Sequence, residues 1–578
     1  MKNDSATDSK RVTGYQVLHS TLLEWGITCY AGVTGGGVIH FLKSLDPMVE
    51  PGAETPSFYS IAEYSAGFIP LGYFLSGGKV AAAVATSGAA TKLLSCGLSD
   101  AKLHDIPALY IIPLSPEEGR GQASLQDTSE YGSHIIGQLR SELPDSVFVL
   151  DTLETLTETL QSAREQLARS RPVVLILLHS ALNQTLSGIS TRISPPITIS
   201  APDLVIDDFY AAFRRDINGR RLVLLVGEEM ARYPDARILT TQLSQRLRCA
   251  VIWTINGANA VERSNPYGMG YISFGGNDEA TSLYQSLGAD DVLLVLGACP
   301  DEYTVNMSPF MAGKTYFLSH HSEGYGQIDN SFAHRAQGLY QHISGPLDQL
   351  LHGLIQAAEE QPFNNLSAAL APETLNHRQY MVPREGCVDM AEVYLRLDRF
   401  WPPNSIGFDD VCLSYKDRQY VTQRPNNNIQ FYSLYRGSAM GGAFGAAVGA
   451  SLSSPDKSVF LFTGDGCFRL FSGSLGEACE LGIVIFLINN ASFSIVGQGL
   501  PIILPEIAEK HYHANLKVLD YCAIARASGW EAESLEPDMS NFDLLLEKIG
   551  HRGQKSWLID IPVDALQVLG HNPRVRNL

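Results

Sequence analysis

The feature that most restricts the fold is a pair of short apolar runs within residues 458–492, each of which ends in polar residues. The first run leads into Gly464-Asp465-Gly466, and the second leads into Asn489-Asn490. Short apolar runs bounded by turn residues predict buried strands. We therefore expect a strand, a crossover helix and a parallel strand, with both polar ends at the carboxyl edge of one sheet. The predicted elements are the strands Val459–Phe462 and Ile483–Ile488 and the helix Leu470–Leu481.

The polar groups expected at this edge are hard oxygens, a carboxylate from Asp465 and a side-chain amide from Asn490. Mg²⁺ prefers such ligands and completes its octahedron with phosphate and water. A helix that begins after Gly466 would add free backbone N–H groups for a diphosphate. The pattern therefore predicts a Mg²⁺–diphosphate site, and the alternative is an ordinary strand-end turn with a chance pair of asparagines.

The spacing of these motifs resembles the signature of thiamine diphosphate (ThDP) enzymes of the acetolactate synthase and pyruvate decarboxylase superfamily, with acetolactate synthases the most similar. The resemblance implies ThDP and Mg²⁺ as cofactors, with Asp465, Asn490 and the backbone carbonyl of Ser492 as metal ligands. Gly464 and Gly466 would then lie against the cofactor.

Two further segments of the last domain carry the resemblance. Residues 438–450, SAMGGAFGAAVGA, are similar to the family segment GTMGxGLPAAIGA, which implies that Met440 wedges ThDP into its bent conformation. A methionine in a small-residue helix is otherwise an ordinary packing residue. Ile495 stands near the position where pyruvate decarboxylases carry a catalytic glutamate, and we assign it to the cofactor-binding set.

The first domain adds candidates of its own. Residues 59–73 are similar to the family segment RHExxAxxxAxGYAR, which implies that Glu63 hydrogen-bonds N1′ of the ThDP pyrimidine. The AGVTGGG turn resembles the family's FGVPGG, which implies that Gly35 and Gly36 approach the cofactor, although a simple strand-to-helix connection also explains them. Gln126 resembles the glutamine of the FQE motif, so it either contacts substrate as a catalytic residue or is merely exposed.

The predicted fold class is α/β, with three doubly wound parallel-sheet domains. A pyrimidine-binding domain is expected over residues 1–184, a central domain over 203–360 and a diphosphate- and Mg²⁺-binding domain over 386–578. Proline-containing connectors at 185–202 and 361–385 separate them. The central domain of this superfamily holds FAD in some members and nothing in others. Gly268, Gly270, Gly275 and Gly276 are better explained as turn glycines than as a flavin site, so FAD is possible but not supported.

Composition excludes several classes of partner. The net charge of −19 argues against nucleic acid and anionic membrane as partners. The nine cysteines are dispersed without a CxxC motif, which indicates reduced thiols. The amino terminus carries no signal-peptide core and no apolar stretch reaches membrane-spanning length, so we expect a cytoplasmic protein.

The resemblance implies an enzyme that decarboxylates a 2-oxo acid and ligates the resulting carbanion to a second carbonyl, acting as a homodimer or homotetramer with active sites at the subunit interface. The chain lacks the paired histidines and the late glutamate of pyruvate decarboxylases, which favours ligation. It also lacks the tryptophan that acetolactate synthases carry near Gly499, which favours a non-standard acceptor. A simple decarboxylase, another ThDP lyase, a FAD-dependent oxidase and a catalytically silent homologue are the alternatives.

Three other residues are weaker candidates. Arg436, just before the Met440 segment, is a candidate anchor for a substrate carboxylate. His511 and His513 form an HxH pair that could bind substrate, but we expect them to be exposed to solvent.

Overall fold

The computed structural model describes residues 12–45, 56–114, 125–186, 203–322 and 332–577. Residues 187–202 of the expected connector lie outside the described residues. The same is true of Ser124, two positions before Gln126. Residue contacts divide the chain into two compact units. The first comprises 1–198 and 444–454, and the second comprises 199–443 and 455–578.

The first unit contains a six-stranded parallel sheet of order β3-β2-β4-β5-β7-β6 and a short antiparallel ribbon of β1 and β8. The order reverses between β2 and β4, and ligands bind beside such switch points in open α/β sheets. The strands are β1 (Val12–Thr13), β2 (Cys29–Gly32), β3 (Ser57–Ser60), β4 (Ala82–Val84), β5 (Leu109–Pro113), β6 (Val147–Leu150), β7 (Val173–Leu177) and β8 (Thr185–Leu186).

Helices flank this sheet, and apolar side chains from both layers form its core. The first helix begins with a capping box, in which Thr13 and Gln16 satisfy each other's backbone N–H groups. The helices are α1 (Gly14–Glu24), α2 (Val38–Leu45), α3 (Glu63–Gly77), α4 (Ala89–Leu103), α5 (Ile135–Glu142), α6 (Leu156–Ala168) and α7 (His179–Leu182).

The second unit contains two more parallel sheets. The first, here called the central sheet, has the order β11-β10-β9-β12-β13-β14, and its switch point lies between β9 and β12. Its strands are β9 (Leu222–Val226), β10 (Ala250–Trp253), β11 (Gly268–Tyr271), β12 (Val292–Leu296), β13 (Lys314–Ser319) and β14 (Leu339–Ser344). Its helices are α8 (Asp203–Ile217), α9 (Ala236–Leu247), α10 (Asp278–Gln285), α11 (Glu302–Val305) and α12 (Leu347–Glu360).

The last sheet has the order β16-β15-β17-β18-β20-β19, and its switch point lies between β15 and β17. Its strands are β15 (Ser405–Asp409), β16 (Ile429–Ser433), β17 (Ser458–Gly464), β18 (Val484–Asn489), β19 (Glu531–Ser534) and β20 (Trp557–Pro562). The helices in this part of the chain are α13 (Met390–Phe400), α14 (Ser414–Thr422), α15 (Gly442–Ser453), α16 (Asp465–Phe471), α17 (Ser494–Gly497), α18 (Leu500–Ile503), α19 (Tyr521–Ala527) and α20 (Phe542–Gly550). Of these, α15 is grouped from residue 444 onward with the first unit.

Three six-stranded, all-parallel sheets with interleaved helices confirm the predicted fold class. The helix predicted over Leu470–Leu481 is wrong. The helix begins earlier, at Asp465, and ends at Phe471, and two 3₁₀ turns follow it at Ser472–Ser474 and Gly476–Ala478. Glycine disfavours helix because it loses the most backbone entropy on ordering, and two glycines lie in this short stretch. Among the described residues, no helix has the length and hydropathy that a membrane span requires.

Candidate functional site

The GDG motif forms a tight strand-to-helix junction. β17 ends at Gly464, which is the N-cap of α16, and Asp465 is the first residue of the helix. A Cβ on Gly466 would lie 2.7 Å from the ring of Phe493, so only glycine fits there without displacing that ring. The junction therefore places a carboxylate at the carboxyl edge of the last sheet, beside its switch point.

Asp465 is 1% exposed, and burial raises its pKa to about 6. Arg469 and hydrogen bonds from the backbone N–H groups of Gly466 and Ala491 act in the opposite direction. The second oxygen, Oδ2, is buried and accepts no hydrogen bond from the described part of the chain. A buried carboxylate oxygen without a partner is costly, because it has lost its hydration without replacement.

The loop after β18 lies against this carboxylate through the backbone N–H of Ala491. Asn490 Oδ1 accepts the backbone N–H of Ser492 at 3.1 Å, which closes an Asx-type turn. Ala491 adopts a left-handed conformation with φ of 51°. The structure thus brings Asp465 to the loop that carries Asn490 and Ser492, all three of which were candidate ligands.

These residues fit a Mg²⁺ ion. The fit rests on the buried Oδ2 atom of Asp465, which has no hydrogen-bond donor among the described residues. Amide and backbone oxygens of the neighbouring loop are hard donors of the kind that Mg²⁺ accepts. A divalent cation at this carboxylate would offset the desolvation that raises its pKa.

A residue that the sequence analysis missed, Asp410, connects the two motifs of the last domain. It follows β15 and is 2% exposed. Its carboxylate accepts the backbone N–H of Gly441 and the hydroxyl of Thr463, the latter at 2.8 Å. It also accepts the backbone N–H of Val411 at 2.8 Å. The signal was present, because an acidic pair ends the apolar run SIGFDD in the same way that GDG ends β17.

Met440 lies in the turn that Asp410 holds. It is half-buried and immediately precedes Gly441, whose φ is 84°. A left-handed residue is needed at this point for the chain to enter α15, and glycine adopts that conformation without strain. Because Asp410 also bonds Thr463, next to Gly464, one buried carboxylate fixes both the Met440 turn and the GDG junction.

Arg436 is not available as a substrate anchor. Its side chain is 1% exposed, and its guanidinium bonds the carboxylates of Glu228 and Asp301, the latter through Nε at 2.8 Å. Tyr435 donates its hydroxyl to the same Asp301 oxygen at 2.8 Å. The protein itself therefore supplies the carboxylates that this arginine binds, which corrects the expectation from the sequence.

Ile495, in α17, packs at the edge of a buried apolar cluster. In that cluster Phe274 and Tyr303 stack with ring centroids 4.1 Å apart, and the hydroxyls of Tyr303 and Tyr415 are 2.9 Å apart. Ile495 therefore forms part of an apolar wall close in sequence to Asn490. His511 and His513 are exposed, as expected.

The candidates of the first unit lie at strand ends of its sheet. Glu63 is half-buried and is the first residue of α3, which follows β3. Gly35 follows β2, and a Cβ there would lie 3.1 Å from the side chain of Thr86, which follows β4. A Cβ on Gly36 would meet nothing within 4 Å, so packing does not require glycine at that position.

Gln126 is exposed and lies next to the same turn. Its Oε1 accepts the hydroxyl of Thr86 at 3.0 Å, and its backbone φ is 58°. Thr86 thus lies between Gln126 and Gly35. The structure brings these residues together at the carboxyl ends of β2 and β4, where the strand order reverses.

Comparison with known proteins gives three family matches along the chain. The N-terminal TPP binding domain of thiamine pyrophosphate enzymes matches residues 12–133, the central domain matches 217–324 and the C-terminal TPP binding domain matches 412–561. Together these models cover more than half of the chain.

Curated relatives include acetolactate synthases. The chain is 24% identical to the isozyme 1 large subunit of Escherichia coli K12, over 85% of this chain and 84% of that protein. It is 23% identical to the acetolactate synthase of Mycobacterium bovis, over 90% of this chain and 83% of that protein.

The fold is similar to that of a solved structure, the Rhodococcus jostii RHA1 thiamine diphosphate-dependent 4-hydroxybenzoylformate decarboxylase. The match covers 96% of this chain and 99% of that chain, with 17% sequence identity and a TM-score of 0.78. This last likeness concerns the fold.

Proposed function

The chain belongs to the thiamine pyrophosphate enzymes, and we propose that it decarboxylates a 2-oxo acid and joins the remaining acyl carbon to a second carbonyl compound. It is a C–C bond-forming or bond-cleaving ThDP enzyme related to acetolactate synthases. The carboligase activity and the Mg²⁺ dependence are the proposed parts.

The observation that carries the proposal is the buried Oδ2 of Asp465, which has no hydrogen-bond partner in the described part of the chain, beside the loop from Asn490 to Ser492. In the proposed holoenzyme Asp465, Asn490 and the backbone carbonyl of Ser492 would hold Mg²⁺, which would supply positive charge for the diphosphate of the cofactor. Gly464 and Gly466 keep this junction free of side chains. We expect ThDP to bind more tightly when Mg²⁺ is present, and Mg²⁺ to bind more tightly when ThDP is present.

When bound, ThDP supplies a thiazolium carbon that adds to a ketone and accepts the electrons released on loss of CO₂. The protein's part is to orient the cofactor and the substrate, and to move protons. We assign to Glu63 a hydrogen bond with ring nitrogen N1′ of the aminopyrimidine, which would orient that ring. Met440 would support the bent cofactor, with Gly441 and Asp410 fixing its turn. Gly35 and Gly36 would allow close approach, and Gln126 would contact substrate.

Ligation is favoured over simple decarboxylation by the apolar character of Ile495. Ile495 packs against aromatic side chains and offers no proton at the place where the resembling decarboxylases have a glutamate. Without an acid there, protonation to an aldehyde is slowed, and a second carbonyl compound competes better. Simple decarboxylation, another ThDP lyase activity and flavin-dependent oxidation are outcomes that the product analysis below separates.

We further propose a homodimer, or a homotetramer built from two such dimers, in which active sites form between subunits. The nine cysteines are free thiols, which supports a reducing, cytoplasmic setting. The proposed substrates are small 2-oxo acids and carbonyl compounds.

The test is product analysis with the purified full-length chain. ThDP, Mg²⁺ and a panel of aliphatic and aromatic 2-oxo acids, singly and in pairs, are incubated with the enzyme, and products are identified by mass spectrometry. Coupled 2-hydroxy ketones or 2-hydroxy-2-alkyl oxo acids support the proposal. Aldehyde as the only product, or consumption of O₂ by a flavin-containing preparation, would contradict it.

A further inference from the structure

The carboxyl edge of the central sheet carries a second cluster of side chains of the types that can ligate a metal ion, made by Glu229, His320 and His321. One ligand atom from each residue lies within 4.8 Å of the other two. Glu229 has a fully buried side chain, whereas the two histidines are partly exposed. The reaction proposed above uses none of these residues.

The sheet order explains how the cluster forms. Glu229 follows β9, and the two histidines follow β13, while β12 lies between these strands. Gly297 follows β12 with a φ of 58°, and a Cβ there would lie 2.4 Å from Cβ of Glu229. Glycine at this position therefore leaves the space through which the Glu229 side chain reaches the end of β13.

Hydrogen bonds fix the carboxylate in place. The hydroxyl of Ser319 and the backbone N–H of His320 donate to Glu229, at 2.9 and 2.7 Å. The Ser319 hydroxyl also accepts the backbone N–H of His321 at 3.0 Å. Nδ1 of His320 lies 2.8 Å from Glu229 Oε2. Supporting contacts of this kind orient the ligands in known metal sites.

We propose that Glu229, His320 and His321 bind a divalent transition-metal ion, and that Zn²⁺ suits the site best. One carboxylate and two imidazoles form a donor set that Zn²⁺ accepts readily, whereas Mg²⁺ prefers oxygen ligands. Ligands of a tetrahedral zinc ion lie roughly 3.4 Å apart, given bonds of about 2.1 Å. The three ligand atoms, which now lie within 4.8 Å of one another, would adjust to that spacing by side-chain rotation when an ion binds.

Arg232 modulates this site. Its Nη1 lies 3.1 Å from Nε2 of His320, on the side of the ring away from Glu229. A metal ion at Nδ1 leaves the proton of a neutral imidazole on Nε2, and that proton repels the arginine donor. Arg232 is half-buried and must turn away when the ion binds. Its positive charge also weakens binding of a cation, so its removal should strengthen binding.

The experiment is a Zn²⁺ titration of the chelator-treated full-length protein by calorimetry, with bound zinc counted by elemental analysis after dialysis. Excess Mg²⁺ and ThDP are present throughout, so that the oxygen-rich site around Asp465 is occupied. We expect one zinc per chain in the wild type and at least about tenfold weaker binding in His320→Ala and His321→Ala. His352→Ala, which removes an exposed histidine of α12, is the matched control and should bind as the wild type does.

Arg232→Gln should bind Zn²⁺ more tightly than the wild type. Thermal unfolding of each variant checks the fold, and His321→Gln replaces His321→Ala if the latter is unfolded. Absence of bound zinc in the wild type would overturn the proposal. Equal zinc content in the wild type, both histidine variants and the control would overturn it too, because the ion would then lie elsewhere. These results leave the ThDP proposal untouched, since that is tested by product formation.

Discussion

The backbone N–H of Gly441 points at the carboxylate of Asp410, at 2.9 Å from Oδ1 and 3.2 Å from Oδ2. Asp410 also accepts the hydroxyl of Thr463. A single buried carboxylate therefore connects the turn that carries Met440 to the strand end that carries Asp465. If these two segments hold the same cofactor, their relative position depends on Asp410.

Removal of this connection should weaken cofactor binding. Asp410→Ala leaves the N–H of Gly441 without its acceptor, which costs about 1–3 kcal/mol of unfolding free energy. We expect a ThDP dissociation constant at least about tenfold higher, measured by fluorescence titration with Mg²⁺. Asp410→Asn keeps an oxygen for Gly441 and should bind ThDP nearly as well as the wild type. Equal affinity in wild type and Asp410→Ala would contradict the positioning role.

Asp410 should also give the stability a specific pH dependence. Burial raises its pKa from 3.8 to about 6, although hydrogen bonds from Thr463, Val411 and Gly441 oppose the shift. The folded state binds the proton of the Asp410 carboxyl group more tightly than the unfolded state does. The stabilisation that this proton contributes to the folded state is therefore complete below pH 3.8 and is lost as the pH rises through about 6. The stability of the wild type relative to Asp410→Asn should fall by up to about 3 kcal/mol across this window. Urea unfolding of both proteins measures it, and a constant difference would contradict the account.

Arg436 offers a separate test of a structural against a catalytic role. Arg436→Gln leaves Glu228 and Asp301 buried without their cation, and loss of one partner from a buried ion pair costs about 3–5 kcal/mol. Arg399→Gln, which removes an arginine that is 72% exposed, should change stability by less than about 1 kcal/mol. The variant at 436 should show a lower melting temperature. A raised KM for the 2-oxo acid at unchanged stability would instead indicate a substrate anchor.

The subunit arrangement can be tested by complementation. Glu63→Gln and Asp465→Asn should each be inactive alone. If the proposed site takes Glu63 from one chain and Asp465 from the other, a mixed dimer has one site with both defects and one intact site. Co-refolded or co-expressed mixtures should therefore regain activity. Mixtures that remain inactive, although mixed dimers are demonstrated by differential tagging, would contradict a shared site.

The sequence predicted much of this architecture because its buried strands are short, apolar and bounded by turn residues. The predicted strand Val459–Phe462 lies within β17 (Ser458–Gly464), and the predicted strand Ile483–Ile488 differs from β18 (Val484–Asn489) by one residue at each end. The same rule correctly placed Asp465 and Asn490 at strand ends. It failed for the helix after GDG, because apolar residues there continue past Phe471 while glycines break the helix.

The connections between distant segments could not be predicted. In the sequence, Arg436 is a cation beside the Met440 segment with no acidic residue close by. Its two carboxylate partners, Glu228 and Asp301, lie 208 and 135 residues earlier in the chain. Nothing local in the sequence marks such pairs. Glu229 and the two histidines are likewise brought together only by the order of strands β9, β12 and β13, which periodicity does not reveal.

The central claim, that the chain is a ThDP-dependent enzyme acting on 2-oxo acids through Glu63, is tested most directly by CO₂ release. The rate is measured at saturating ThDP and Mg²⁺ for the wild type and for Glu63→Gln, with ThDP binding measured in parallel. We predict CO₂ release by the wild type and a loss of at least about 100-fold in the variant, with ThDP still bound. An equal rate in both proteins, or no CO₂ from any 2-oxo acid by a wild type that binds ThDP, would contradict the account.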